Sequence, residues 1–423
     1  MSTLDVDRNG SPSRGPVGVW LIGARGSIST CVAYGLEGLR VGALEPVGLA
    51  TEVEPVRGLD LVPLDELVLG GHDVCTRSLT SSTSELVRSG VLTQSLVDAA
   101  REGAAAFEAC IRPGILDGPD VGLADLDPRS AELGSLPPRE QIARVRADLD
   151  AFAAAHDLAR VVVVDVASTE AWREERAEWR DLASFEAALD AGALQPASVL
   201  YAYAALGAGH PFVNFTPSRG SSLPALIELA SASGVPHCGN DGKTGETLVK
   251  TVLAPMFRAR ALKVLTWQGY NMLGNRDGEV LKEPAHRESK LRNKDEALRS
   301  ILGDPAVHTS VGIDFVPSLE DWKTAWDFIQ FEGFLGARMS LQFTWTGSDS
   351  ALAAPLVLDL ARLADLAAER GEGGVMEHTA CFFKAPLGGG THDFGQQFAE
   401  LGRYALERHG KTADAAPSAL TGR

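Results

Sequence analysis

The fold of the N-terminal half is decided by one stretch, Val17-Gly18-Val19-Trp20-Leu21-Ile22-Gly23-Ala24-Arg25-Gly26-Ser27-Ile28-Ser29. Its first six residues predict a buried strand, and a helical pattern follows the two glycines as far as Leu39. Gly23 and Gly26 allow a tight turn that presents backbone N–H groups, as a dinucleotide pyrophosphate requires. The middle glycine of G-x-G-x-x-G is absent, and an ordinary βα turn fits as well. The stretch predicts a β-turn-α opening with a dinucleotide site as one of two interpretations.

Beyond this turn, strand and helix patterns alternate up to about residue 240. A second strand is predicted at Pro46–Ala50, after which Glu52 could accept from a ribose hydroxyl or lie in a solvated loop. The run Arg160–Ala167 is typical of a strand buried in a parallel sheet. The remaining segments are predicted as a helix over Ile142–Asp157, a helix over Ser198–Leu206, a strand over His210–Asn214 and a helix over Ser222–Ser233. This alternation predicts an α/β fold with a doubly wound, Rossmann-like sheet.

The pattern changes after Thr251, which indicates a second domain. Ala261–Tyr270 and Met339–Trp345 alternate in the manner of strands, whereas Ala351–Arg370 is a long apolar helix. The predicted organisation is a disordered leader (1–14), a Rossmann-like dinucleotide-binding domain (15–245 plus 350–410), an inserted α+β domain (246–349) and a disordered tail (411–423).

Composition narrows the classes of function. The 423 residues are 45% hydrophobic, which is enough for a large core and about two domains. The formal net charge is −17, and because duplex binding normally requires a basic face, no nucleic-acid partner is expected. No apolar run reaches the roughly 18–20 residues of a membrane span, so no membrane partner is expected. Five cysteines form no CxxC pair, which favours a reducing cytoplasm over a zinc site or a disulfide framework.

Lysine is scarce and unevenly placed. Of the 39 lysines and arginines nine are lysine, none precedes Lys243, and seven lie between Lys243 and Lys323. Arginine serves wherever a plain positive charge is enough, whereas a lysine ammonium can lose its proton on burial. Local sequence drift is the alternative explanation. The pattern favours lysines that take part in chemistry in the second half of the chain.

Two polar turns in the α/β part are candidates for anion binding. Asn214–Ser222 follows a strand and precedes a helix, which suits an oxyanion but also an ordinary serine N-cap. Gly239–Gly245 is similar to a phosphate loop, yet it lacks the spacing G-x-x-x-x-G-K-[ST], and Asn240-Asp241-Gly242 is also a plain turn former. A P-loop NTPase is therefore disfavoured.

Further along, Lys290 and Lys294 follow the polar stretch Tyr270–Gly278 and are four residues apart. If this part is helical, the two ammonium groups share one face and their repulsion lowers at least one pKa. Such a pair suits a proton carrier, or a clamp for a phosphate and a carbonyl oxygen; a solvated basic face is the alternative. The nine histidines show no HxxxH or HxH pair, so no metal ligands are assigned.

A series of ordered motifs resembles the myo-inositol-1-phosphate synthase family over about Val17 to Leu401. The motifs are Gly23–Ser29, Gly70–Asp73, Val166–Glu170, Asn214–Ser218, Gly239–Thr244, Tyr270–Gly278, Glu288–Lys294, Asp321–Lys323, Asp349–Asp359 and Phe383–Leu387. The pattern is closer to the short archaeal-type members than to the long eukaryotic ones. The resemblance implies that the Rossmann-like domain binds NAD and that the sheet of the inserted domain also builds a homotetramer.

The resemblance also implies a cyclisation of D-glucose 6-phosphate to 1L-myo-inositol 1-phosphate. NAD would oxidise C5, loss of a C6 proton would give an enolate that attacks the C1 aldehyde, and NADH would then reduce the C5 ketone. An activating cation, monovalent or divalent, is expected as well. The family's lysines would hold phosphate and developing oxyanions and move the C5 hydroxyl proton.

Position by position, the resemblance assigns residues to three groups. The catalytic positions are Lys290, Lys294, Lys323, Lys384, Asp241 and Asp349. The cofactor positions are Gly23, Ala24, Arg25, Gly26, Ser27, Ile28, Asp73, Ser168, Thr169 and Asp277. The substrate positions are Asn214, Ser218, Lys243, Asn271, Leu273 and Asn275. The catalytic lysines all come from the sparse lysine set, so composition and resemblance agree.

Two positions beside the expected substrate pocket depart from the family pattern. The family's serine before Tyr-Asn is Gly269 here, and the archaeal-type carboxylate is Asn275. A paralogue that cyclises another sugar phosphate, such as fructose 6-phosphate to a five-membered carbocycle, is therefore the alternative enzyme. A non-catalytic NAD sensor is a third interpretation, but it predicts loss of the catalytic lysines, and all four are present.

Overall fold

The computed structural model describes residues 15–116, 125–274, 301–304 and 306–409. Its strands are β1 (Val17–Ile22), β2 (Leu67–Asp73), β3 (Ile111–Pro113), β4 (Arg160–Asp165), β5 (Phe212–Asn214), β6 (Pro236–Cys238), β7 (Lys263–Leu273), β8 (His308–Phe315), β9 (Trp322–Glu332), β10 (Arg338–Ser348) and β11 (Gly374–Val375). Its helices are α1 (Ser27–Arg40), α2 (Leu79–Arg88), α3 (Gln94–Ala99), α4 (Arg101–Ala109), α5 (Pro128–Ser135), α6 (Pro138–Ala155), α7 (Leu182–Asp190), α8 (Ala197–Gly207), α9 (Pro224–Ser233), α10 (Glu246–Ala259), α11 (Asp349–Glu369) and α12 (Phe394–Arg408).

One sheet is parallel, with the strand order β11-β6-β5-β4-β1-β2-β3. The chain runs from β1 outward to β3 and then returns to the other side of β1 with β4. This reversal leaves a crevice beyond the carboxyl ends of β1 and β4, which is where open α/β sheets bind their ligands.

The side chains of β1 and β4 alternate between two apolar layers, as the period of a strand requires. Leu21 and Val164 pack into the layer that contains α1 and α11. Their neighbours Trp20 and Val163 face the layer that contains α6, α8 and α9. Helices therefore cover both faces of the sheet, and the near-continuous apolar run of β4 follows from burial on both faces.

The other sheet is mixed, with the order β10-β9-β7-β8. β7 and β8 are parallel, whereas β9 is antiparallel to both β7 and β10. Helix α10 covers the inner face, where Ala254 and Phe257 pack against Trp267 and Ile329. α10 begins directly after the loop 239–245, so the mixed sheet is joined to the polar loops at the edge of the parallel sheet.

The predicted fold class is confirmed: a Rossmann-like parallel sheet is combined with a separate mixed sheet. The helices predicted from periodicity are present as α6, α8, α9 and α11, and the predicted strands after residue 150 are present as β4, β5, β7 and β10. The domain boundaries at 245 and 350 stay predictions. The leader (1–14) and the tail (411–423) lie outside the described residues. Among the described helices, none is both long and apolar enough to cross a membrane.

The predicted second strand at Pro46–Ala50 is wrong. Val47 is 87% exposed, and Ala50–Glu52 forms a short 3-10 helix. The carboxylate of Asp359 in α11 accepts from the Ala50 N–H at 2.6 Å and so takes a backbone donor that a strand would need. The neighbour of β1 is instead Leu67–Asp73, which pairs with β1 in parallel and buries Leu67 and Leu69.

Candidate active site

The glycine turn lies at the carboxyl end of β1, beside the crevice. Gly23 has a φ of +88°, and a Cβ there would come within 2.8 Å of the Ala167 Cα, so the close approach requires glycine. Gly26 is the N-cap of α1 and supplies no side-chain cap to the first N–H groups, which include those of Ser27 and Ile28. An uncapped helix N-terminus beside a crevice fits the pyrophosphate of a dinucleotide such as NAD.

The turn is held from the β2 side. The carboxylate of Asp73, the last residue of β2, accepts from the Arg25 backbone N–H at 2.7 Å. The Arg25 guanidinium donates to the Glu108 carboxylate at 2.9 Å, and the Ala24 N–H donates to a carbonyl of β2 at 3.0 Å. These predicted cofactor residues are therefore fixed by contacts within the protein.

Ser168 and Thr169 lie in the segment that follows β4, just after Ala167, which packs closely against Gly23. Thr169 is buried and Ser168 is exposed. Glu52 lies elsewhere, 3.5 Å from the Arg362 guanidinium and 3.6 Å from that of Arg57. Because it does not end a strand, its interpretation as a ribose ligand loses its basis.

Two lysine–aspartate pairs meet at the loop 239–245. The Lys384 ammonium donates to the Asp241 carboxylate at 2.6 Å, and the Lys384 backbone N–H donates to the Asp241 carbonyl at 2.7 Å. The Lys323 ammonium lies 3.4 Å from the Asp349 carboxylate, which also accepts from the Thr244 hydroxyl at 2.9 Å. Asp241 and Thr244 are three residues apart, so their α-carbons are within about 11 Å of each other. The loop therefore brings four of the six predicted catalytic residues together.

Asp321 precedes Lys323 and forms an oxygen-rich cluster next to Asp349. Its carboxylate accepts from the Ser348 hydroxyl at 2.6 Å and from the Ser350 hydroxyl at 2.9 Å. Burial raises its pKa above the ordinary value, although these hydroxyls and that of Ser27, in the first turn of α1, act in the opposite direction. The cluster thus links the start of β9 to the cofactor turn.

Lys243 is buried without a carboxylate partner among the described residues. Its ammonium donates to the Gln397 side chain at 2.6 Å and lies 5.7 Å from the centre of the Phe394 ring, both in α12. Burial lowers its pKa to about 8, and the nearby Lys384 acts in the same direction. The predicted substrate role of Lys243 stays a prediction, and the structure adds a contact that holds α12 on the loop.

Asn271 lies on the inner face of β7, two residues before Leu273. Its side chain is 0% exposed, and neither the amide oxygen nor the amide nitrogen has a hydrogen-bond partner among the described residues. Leu273 is paired in register with Lys323 on β9. A buried, unpaired amide costs roughly 1–3 kcal/mol, so a polar ligand that reaches Asn271 would remove this penalty.

Asn214 and Ser218 shape the turn after β5. The Asn214 amide nitrogen donates to the Ser218 carbonyl and to Asn240, and its oxygen accepts from the N–H and the hydroxyl of Thr216. The Ser218 hydroxyl accepts from the Glu170 N–H at 3.1 Å. All four hydrogen-bonding positions of Asn214 are used inside the protein, so its observed role is to support the loop 239–245.

Four predicted residues lie outside the described residues: Lys290, Lys294, Asn275 and Asp277. The described part also contains no group of three or more His, Cys, Asp or Glu side chains that could hold a metal ion. Sequence reasoning missed Asp321, although it lies in a quoted motif, and Lys250, although it belongs to the sparse lysine set.

Comparisons with known proteins identify the family. A family model described as Myo-inositol-1-phosphate synthase, of the NAD-binding type, matches residues 17–405. Inositol-3-phosphate synthase 1 of Bacteroides thetaiotaomicron is 33% identical, with 91% of this chain and 92% of the relative covered. Inositol-3-phosphate synthase isozyme 2 of Arabidopsis thaliana is 32% identical over 79% of this chain and 64% of its own length.

Solved structures support the fold. The inositol-3-phosphate synthase of Caenorhabditis elegans superposes with a TM-score of 0.82 at 23% identity, covering 96% of this chain and 90% of the other. A myo-inositol-1-phosphate synthase-related protein of Thermotoga maritima gives a TM-score of 0.74 at 22% identity, covering 92% and 98%. The family model spans nearly the whole chain, and the bacterial relative matches almost end to end. The chain belongs to the myo-inositol-1-phosphate synthase family.

Proposed function

We propose that the protein is an isomerase that converts D-glucose 6-phosphate to 1L-myo-inositol 1-phosphate in an NAD-dependent internal aldol cyclisation. The observation that carries the proposal is that two lysine–aspartate contacts, Lys384 with Asp241 and Lys323 with Asp349, meet at the loop 239–245, with both lysines buried. Family membership supports the reaction type.

In this proposal the glycine turn would hold NAD, which would supply reversible hydride transfer at C5. The ammonium groups of Lys323 and Lys384 stabilise the oxyanions and the substrate phosphate, because buried cations act strongly where negative charge develops. Asp241 orients Lys384, and the unpaired amide of Asn271 binds a sugar hydroxyl. The roles of Lys290 and Lys294 rest on the family resemblance.

For the expected activating cation, the oxygen cluster around Asp321 offers a donor set. The two carboxylates of Asp321 and Asp349 and the hydroxyls of Ser348 and Ser350 are hard oxygen ligands. Because so few carboxylates are present, we favour a monovalent cation here.

The outer face of the mixed sheet supports the expected homotetramer. Trp326 is 39% exposed and Tyr270 is 40% exposed, in register on neighbouring strands, and the Trp326 and Phe328 rings stack at 6.3 Å. We propose that a second copy of the chain covers this face. A cytoplasmic location stays an expectation from the cysteine pattern.

Fructose 6-phosphate remains the alternative substrate because Gly269, two residues before Asn271 on β7, lacks the side chain of the serine in the family pattern. A ³¹P NMR time course of the enzyme with NAD, run separately on glucose 6-phosphate and fructose 6-phosphate, separates the candidates. A new phosphomonoester from glucose 6-phosphate that co-resonates with an inositol phosphate standard supports the proposal. Product formed only from fructose 6-phosphate would indicate that the enzyme makes a different cyclitol. NAD binding without product from either sugar phosphate would favour the sensor.

A further inference from the structure

A buried charge cluster, Glu246–Lys250–Asp327, lies outside the residues assigned to the reaction. The Lys250 ammonium is 2.5 Å from the Glu246 carboxylate, one helical turn away in α10, and 3.2 Å from the Asp327 carboxylate on β9. The Trp267 indole on β7 donates to the same Asp327 oxygen at 2.7 Å. The three charged residues are at most 4% exposed. The cluster therefore ties together α10, β7 and β9.

β7 and β9 carry the candidate active-site residues Asn271 and Lys323, and α10 directly follows the loop that contains Asp241. Glu246 is the first residue of α10 and follows the loop that contains Asp241 by only a few residues. On the inner face of the sheet, Asp327 is in register with Gly269, and Lys323 is in register with Leu273. Asn271 lies between these two rungs. The cluster thus lies beside the rung next to that of Asn271, and its first member, Glu246, directly follows the loop 239–245.

Gly269 leaves the space that the cluster occupies. A Cβ at this position would come within 2.6 Å of the Glu246 carboxylate and 2.7 Å of the Lys250 ammonium. The serine that the family carries at this position would therefore displace the tips of both side chains. The glycine at position 269, where the family pattern has a serine, is therefore what the observed positions of Glu246 and Lys250 require.

Electrostatic attraction within the cluster opposes relative movement of the elements that it joins. Burial alone would lower the pKa of Lys250, but the two carboxylates outweigh it and hold this pKa above the ordinary value. Removing one partner of a buried ion pair is strongly unfavourable, because a buried charge is left uncompensated. Relative movement of α10 and β9 would separate these charges, so the cluster resists it.

We propose that Glu246, Lys250 and Asp327 are positioning residues that hold the loop 239–245 in register with Asn271 and Lys323 for the cyclisation. The proposal rests on the proposed function for its effect on turnover, but not for its structural effect. Asp327→Asn keeps the Glu246–Lys250 pair and an acceptor for Trp267 while removing the charge that ties α10 to β9. Misplacement of reacting groups by about 1 Å can cost on the order of 100-fold in rate.

Turnover is measured for Asp327→Asn and for a control, Asp365→Asn. Asp365 is an equally buried carboxylate, paired with Arg160 at 2.5 Å at the amino end of β4, away from the crevice. Rates are divided by the concentration of titrated NAD sites, so that unfolded protein does not lower the measured kcat. We expect kcat to fall at least about tenfold in Asp327→Asn, with a KM change below about threefold, and to stay within about twofold of wild type in the control. Equal kcat values per NAD site in the two variants would overturn the proposal.

Gly269→Ala is the second variant, because it keeps all three charges and displaces only the ends of the Glu246 and Lys250 side chains. We expect it to lower kcat, as Asp327→Asn does. A kcat equal to that of wild type would count against the positioning role of the cluster. Amide hydrogen exchange gives a readout independent of turnover. Peptides from α10 and β7 should exchange faster in Asp327→Asn than in wild type or Asp365→Asn, whereas unchanged exchange would refute the structural tie. If the wild type cyclises neither sugar phosphate, the proposed function fails while this exchange result still decides the tie.

Discussion

At the scale of single residues, the site consists of charges that are paired before any ligand arrives. Lys384 and Lys323 are 9% and 8% exposed, and each contacts one carboxylate. A buried ammonium without a partner would be costly, so each aspartate offsets the cost of burying its lysine. A phosphate or an oxyanion can then be added without a large rearrangement.

Lys384→Arg tests whether that residue moves a proton. The guanidinium keeps the charge but stays protonated, so we expect turnover to fall at least about 100-fold while NAD affinity is retained. Turnover and NAD affinity are compared with those of Lys263→Arg, an exposed lysine at the start of β7 that should behave as wild type. Near-normal turnover in Lys384→Arg would rule out the proton-transfer role.

Asn271→Leu tests the unpaired amide. Because leucine removes a buried polar group that lacks a partner, we expect a melting temperature at least equal to that of wild type. Loss of the sugar contact should lower kcat/KM for the sugar phosphate at least about tenfold. Calorimetry and steady-state kinetics measure the two effects, and a variant that is destabilised but fully active would contradict this account of Asn271.

At the scale of elements, β4 ends in a buried carboxyl group beside the crevice. Burial raises the pKa of Asp165, its last residue, to about 7 from an ordinary value of 3.8, although the Ala167 N–H acts against the shift. A raised folded-state pKa means that the contribution of Asp165 to stability is complete below about pH 4 and is lost as the pH rises through about 7.

Asp165→Asn isolates this contribution. The melting temperature of wild type minus that of the variant, both without NAD, should be largest near pH 4.5 and should fall until about pH 8. The change corresponds to on the order of 2–4 kcal/mol in the free energy of unfolding. Other buried carboxyls, such as Asp359, are common to both proteins and cancel. A difference that does not vary with pH would contradict the assignment.

The elements also show how far the sequence carries a prediction. Apolar runs and helical periods predicted β4, α6, α8 and α11, because burial on both faces or on one stripe dictates those patterns. The strand predicted at Pro46–Ala50 is wrong because the structure of this segment depends on a hydrogen bond to Asp359, about 310 residues away. No local sequence pattern reveals such a contact. Likewise the scarcity of lysine indicated a set of functional lysines, but it could not reveal that Lys250 is buried between the Glu246 and Asp327 carboxylates, because that contact joins α10 to a strand about 75 residues later in the chain.

At the scale of the whole molecule, the parallel sheet supplies the cofactor crevice and the mixed sheet supplies a wall of the site and an exposed aromatic face. We expect the wild type to have four times the monomer mass in size-exclusion chromatography with light scattering. Trp326→Glu should reduce that mass, because a charge would be buried in the interface. Leu194→Glu, at a 69% exposed leucine of the other part, should leave the mass unchanged. A Trp326→Glu protein of wild-type mass would place the interface elsewhere.

The central proposal is that bound NAD would accept a hydride from C5 of the substrate and return it to the same carbon within a single turnover. Incubating the enzyme and catalytic NAD with D-glucose 6-phosphate deuterated at C5, and analysing the product by NMR, tests it directly. The account predicts a cyclic inositol phosphate that retains deuterium on the carbon derived from C5, with no accumulation of NADH. Loss of the deuterium to solvent, or NADH formed in step with product, would contradict it.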